Sequence, residues 1–127
     1  MTFRTDQQLK DELLRHWEHL MRLVFPPEAD IRSYRQEGGY RISVAWRLGE
    51  SGSYTENWSR EIDIDIPRET IDAYRRQDEK GRRIADENLV SLVRLKKREF
   101  HPEHDTPRYH VPPEEHWRVG PEDLAAR

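Results

Sequence analysis

From Tyr40 to Ile66 apolar and polar positions alternate in two runs. Tyr40, Ile42, Val44, Trp46 and Leu48 alternate with Arg41, Ser43, Ala45 and Arg47. Trp58, Ile62, Ile64 and Ile66 alternate with Ser59, Glu61, Asp63 and Asp65. A period of two marks a half-buried strand. Gly49-Glu50-Ser51-Gly52-Ser53 between the runs is turn-forming. A bend near Gly52 sets Trp46 against Trp58 and Ile42 against Ile62, with Arg41 against Asp63 and Ser43 against Glu61 on the other face. Upstream, Gly38-Gly39 fits a two-residue hairpin turn whose central positions need positive φ. Closure there predicts a first strand over 28–36, with Ile31 opposite Trp46, Ser33 opposite Val44 and Tyr34 opposite Ser43.

The flanks read as helices. Thr5 and Gln8 match a capping box. Leu9, Leu13, Trp17, Leu20 and Val24 then recur at helical spacing, Leu14 and Met21 widen the stripe, and Pro26-Pro27 ends it. The stripe is read as core against the sheet. Pro67 suits the first turn of a second helix, with Ile71, Tyr74, Ala85, Leu89, Leu92 and Val93 near one face. Residues 75–83 are almost wholly charged and include Gly81. Either the helix stops there, with Lys80 and Gly81 as its end signals, or one helix runs on to Phe100. An unbroken helix would be about 50 Å long, against about 26 Å of eight-residue strand. A short strand over 89–95 is a further alternative.

Residues 101–127 hold Pro102, Pro107, Pro112, Pro113 and Pro121, and four of the six histidines. They read as an irregular tail, mobile over 101–110 and docked around Trp117, whose indole favours burial. The expected fold is α+β in the order α-β-β-β-α. A three-stranded antiparallel meander carries two helices packed on one face over residues 1–100, and the Pro/His-rich tail is partly docked.

Composition narrows the function. The 127 residues carry 37% charged and 34% hydrophobic positions, so one domain with a small core is expected. A net charge of -3 gives no general pull on polyanions. The absence of cysteine excludes disulfides and thiolate metal sites. No apolar run approaches a membrane span, and residues 1–12 have no apolar signal core, so a cytoplasmic location is expected. Arg outnumbers Lys 18 to 4, as in proteins of GC-rich bacterial genomes.

The order helix, three antiparallel strands, helix resembles that of double-stranded-RNA-binding domains. The resemblance implies recognition of duplex shape and phosphates. The chain departs from that pattern in its Gly38-Gly39 turn, too short to enter a groove, and in a second helix that begins Pro67-Arg68-Glu69 rather than with lysines. Segment 67–100 has ten basic and seven acidic residues, a pattern that also fits a solvated face with pairs such as Glu79–Arg83.

Metal ligands are a further alternative. His101, His104, His110 and His116, with Asp105, Glu114 and Glu115, and with His16 and His19 three apart, offer nitrogen and oxygen donors, though in no established zinc spacing. Glu61, Asp63 and Asp65 line one strand face, where cross-strand ion pairing is the plain reading. No hydrolase, phosphate-loop or zinc-protease motif is present, and neither a cofactor nor an enzymatic activity is expected.

Two surfaces are candidates for a protein partner. The outward sheet face has a small-residue centre of Ser43, Ala45 and Ser59, rimmed by Arg32, Tyr34, Arg41, Arg47, Glu61 and Asp63. The second helical segment carries Leu89, Leu92 and Val93, which would form a homodimer face if that helix is continuous. The expectation is therefore a non-enzymatic protein-interaction module, with RNA binding and metal binding as alternatives.

Overall fold

The computed structural model describes residues 6–48, 58–102 and 114–125, with side chains from Asp11 onward. The order is α1 (Asp6–Arg22), β1 (Asp30–Gln36), β2 (Gly39–Ala45), β3 (Glu61–Pro67), α2 (Arg68–Arg75), α3 (Glu79–Glu99), β4 (Glu114–Arg118) and α4 (Pro121–Leu124). Thr5, the 49–53 turn and residues 103–113 lie outside the described residues, and with them the expected cap, the loop and most of the segment expected to be mobile.

The α+β class and the antiparallel meander hold: β1 pairs with β2 and β2 with β3. The expected tail supplies a fourth strand. β4 runs parallel to β3, giving the sheet order β1-β2-β3-β4. Glu114, His116 and Arg118 therefore share one face, and Trp117 joins the other beside Ile64.

Both hairpin registers differ from expectation by two residues. Ile31 lies opposite Val44, Ser33 opposite Ile42 and Tyr34 opposite Arg41. Ile42 lies opposite Ile64, Arg41 opposite Asp65 and Ser43 opposite Asp63. The first turn is Glu37-Gly38, because Gly39 already pairs with Gln36. Gly39 takes φ 148°, open to glycine alone, and a Cβ there would run into the Ile66 carbonyl. In the second hairpin Arg47 bridges Trp58, and Ser59 N–H donates to the Trp46 carbonyl at 2.7 Å. Ser59 and Arg60 thus oppose Trp46 alone, an extra residue of the kind a β-bulge inserts. A slip of two leaves the side chains of β1, β2 and β3 on their expected faces, but the extra residue sets Trp58 opposite Arg47 rather than opposite the expected Trp46.

One face of the sheet is the core. Ile42, Val44, Ile62 and Ile64 are fully buried against α1, whose contact stripe is Leu14, Trp17, Met21 and Val24. Trp17 packs edge-on to Tyr40 and to Tyr74. A ring chain of Phe25, Trp46, Phe100 and Trp117 closes the other end.

The second helical segment breaks, as one of the two expected alternatives had it, but Gly81 is not the stop. α2 ends at Arg75, Asp78 caps α3, and the Asp78 carboxylate accepts from Gly81 N–H at 2.8 Å. Gly81 belongs to the first turn of the new helix, where a Cβ would crowd Gln77. α3 folds back over the sheet and buries Leu89 and Val93 in the core, with Leu92 partly buried. These three residues are therefore not an exposed patch. The strand alternative for 89–95 is also corrected, since all of it is helical.

Local anchors hold β4 in place. Val119 N–H donates to the Asp65 carbonyl at 2.9 Å, and Thr70 Oγ1 donates to the Val119 carbonyl at 2.7 Å. Arg60, 5% exposed, donates to the His101 carbonyl and lies over the Phe100 ring.

Two outcomes check this description. Gly39→Ala should lower unfolding free energy in urea by more than about 1 kcal/mol, and Gly38→Ala by less than about 0.5 kcal/mol. Trp117→Ala should cost about 3–5 kcal/mol, whereas Leu95→Ala, at an exposed position, should stay within about 0.5 kcal/mol. Equal losses within either pair would contradict the register or the docking of β4.

Candidate functional site

The face turned away from the helices is polar, and the sheet registers place its residues in rows. Arg32, Ser43, Asp63 and His116 lie side by side on β1, β2, β3 and β4. Tyr34, Arg41, Asp65 and Arg118 form the next row. Alternation alone produces this, because every second residue of each strand points here.

At the centre lies Asp63, only 2% exposed. Ser43 Oγ donates to Asp63 Oδ1 at 2.6 Å. The Tyr34 hydroxyl sits 2.8 Å from Ser43 Oγ. With the Ser43 proton directed at Asp63, the phenol is the donor, so the relay runs Tyr34 to Ser43 to Asp63. Beside it Asp65 bridges two bases: Arg41 Nε donates to Oδ1 at 2.7 Å, and His116 Nδ1 lies 3.1 Å from Oδ2. The Asp65 hydrogen bond holds the Arg41 guanidinium pKa above its ordinary value. His116 Nδ1 also approaches Asp63 Oδ2, at 3.8 Å. Arg118 pairs with Glu69 of α2 at the rim.

Negative charge is concentrated here. The Glu61 carboxyl pKa is raised, first by desolvation, then by the charge of Asp63, a hydrogen bond with Asp63 and the charge of Glu114; Arg32 opposes the shift. Donor atoms of Asp63, Glu114 and His116 all lie within 4.8 Å of one another.

Comparison of the chain with protein families, with curated proteins and with solved structures returned no match. The site must therefore be read from its own chemistry.

Of the expected surface, Arg32, Tyr34, Arg41, Glu61 and Asp63 do share one face. Arg47 stands apart at the strand end, exposed, with its guanidinium 5.7 Å from the Trp58 ring centre. Ser43 belongs to the face but is spanned by the relay rather than open, and Ser59 turns its hydroxyl to the Trp46 N–H at 3.0 Å. Trp117 lies in the core. Asp65, Glu114 and His116 belong to the surface although the expected rim omits them.

Among the described residues the histidines do not gather. His16 bonds Asp86 of α3 at 2.8 Å, and His116 faces Asp65 across the sheet. His104, His110 and Asp105 lie outside the described residues. Elsewhere, an open groove of about 530 Å³ between α2, α3 and α4 is lined by Thr70, Tyr74, Gln77 and Leu124. Burial, followed by the charge of Asp86 and a hydrogen bond to it, pushes the Tyr74 phenol well above its ordinary range and keeps it neutral.

Glu61 gives a pH test. Its raised pKa means that the folded chain holds this proton to a higher pH than the unfolded chain does. Its contribution is therefore most favourable at acid pH and is lost as pH rises through the carboxylate range. Glu61→Gln should raise the Tm at neutral pH, and the gain should shrink toward acid pH. The residue is exposed, so screening keeps the gain small. A gain independent of pH would refute the carboxylate crowding.

Proposed function

We propose that the protein is a non-enzymatic interaction module whose working surface is the outer face of the sheet. One observation carries this reading: the helices cover a single face, and the other presents a fixed polar centre ringed by exposed Arg32, Tyr34, Glu61, His116 and Arg118. Side chains already held by hydrogen bonds lose little freedom on association, which favours a specific contact. The mixed signs suit a protein partner of complementary charge.

The alternatives have less behind them. Glu61, Asp63, Asp65 and Glu114 line the same face and would repel phosphates, which usually supply much of the affinity for RNA. The fourth strand and the tight Glu37-Gly38 turn also part from the double-stranded-RNA-binding order. For an enzyme, the polar residues would have to work on an open surface, and the groove beneath α4 brings together no acid and base from this set. The self-association reading loses its argument with Leu89 and Val93 inside the core. Among the described residues no helix is long and apolar enough to cross a membrane. A bacterial origin goes with the arginine-rich composition, and the cytoplasm is the default setting.

The test is affinity capture from the native host with wild-type chain, with an Arg32→Glu/Tyr34→Ala variant and with a Leu95→Asp control. All three substitutions fall at exposed positions. The partner should be kept by the control and lost by the face variant. Capture undiminished in the face variant rejects this surface. Tight binding of duplex RNA that weakens steeply with salt would favour the RNA reading instead.

A further inference from the structure

We propose that Asp63, Glu114 and His116 bind a divalent first-row transition cation, such as zinc or manganese, at the centre of the outer sheet face. The inference goes beyond the partner reading: it uses the same surface but requires no partner.

The first observation is placement. Asp63 and His116 are directly opposite in the parallel pairing of β3 and β4, and Glu114 precedes His116 by two residues on the same face. Their donor atoms lie within 4.8 Å of one another. Carboxylate and imidazole ligands sit about 2.0–2.2 Å from zinc, so two ligands of one ion are at most about 4.4 Å apart. Closing the gap needs small rotations of Glu114 and His116, both exposed, around a fixed Asp63.

The second observation is the state of Asp63. A buried carboxylate ordinarily has a cationic partner, because leaving one unpaired away from water is costly. Among the described residues no lysine or arginine lies within ion-pair distance of Asp63; the neighbouring Arg41 is committed to Asp65. Asp63 receives the Ser43 hydroxyl and shares a hydrogen bond with Glu61, itself a carboxyl, while the nearest basic nitrogen, His116 Nδ1, stands at 3.8 Å, beyond hydrogen-bond length. The Tyr34–Ser43 relay fixes the carboxylate from behind, as outer partners of metal ligands do.

The donor set selects the ion. One imidazole and two carboxylates suit zinc, manganese, iron(II) or cobalt(II). Magnesium and calcium prefer all-oxygen shells. Three protein ligands leave a position for water or for a donor from another molecule.

The experiment is calorimetric titration of the full chain, stripped with chelator, with zinc chloride, manganese chloride and magnesium chloride at neutral pH. One zinc or manganese per chain should bind saturably, and magnesium far more weakly. His116→Ala and Glu114→Gln should each weaken binding by more than about tenfold, with far-ultraviolet circular dichroism unchanged. A His104→Ala/His110→Ala variant should bind as wild type. If Asp63→Asn fails to fold, the two exposed variants carry the test. No saturable binding overturns the proposal. Undiminished binding by His116→Ala, or loss in the His104/His110 variant, overturns it too. Capture of a protein partner is measured separately, so either reading can fail while the other stands.

Discussion

Ile62, Ile64 and Ile66 are shut away on the helical side of β3 while the same backbone holds Glu61, Asp63 and Asp65 on the other side. β3 pairs with β2 on one edge and β4 on the other, so this alternation is imposed on both neighbours. Each buried isoleucine contributes about 1.5–3 kcal/mol of burial. That apolar side fixes which residues face outward, since a slip of one would put isoleucines in water and carboxylates in the core. The polar face is thus specified by the core behind it, and its carboxylates are held close together because the isoleucines do not let them move apart.

The composition of that face was legible in the sequence because facing depends only on parity. Pairing was not, because it depends on where each turn closes. Reading Gly38-Gly39 as the turn centre shifted the first hairpin by two, since only Gly39 needs the unusual φ and it needs it to pass the Ile66 carbonyl. The extra residue at Ser59-Arg60 disturbs the second hairpin. The difference matters for chemistry. Expected against Arg41, Asp63 would have been an ordinary ion pair. In the observed register Arg41 takes Asp65, and Asp63 is left with the Ser43 hydroxyl and the neighbouring Glu61 carboxyl.

The prolines of the tail point to irregular structure, with Trp117 docked but without a ladder of its own. A strand signal was nevertheless present. Glu114, His116 and Arg118 alternate with Trp117 and Val119 between Pro113 and Gly120. What the pattern could not supply was the partner, since a parallel pairing across two helices leaves no turn to mark it. The helix break was similarly ambiguous: Gly81 reads as an end from composition, whereas the Asp78 carboxylate makes it part of a beginning.

The long reach of the parallel pairing has a consequence for biogenesis. His116 meets Asp63 only after α2 and α3 have been made. Until then a nascent chain carries β3 as an open edge, with Ile64 and Phe100 lacking the indole of Trp117 beside them. Unpaired edges and uncovered apolar side chains invite misassembly. Residues 114–124 therefore close the sheet, and ribosome stalling or proteolysis ahead of Glu114 would release an aggregation-prone fragment rather than a shortened protein.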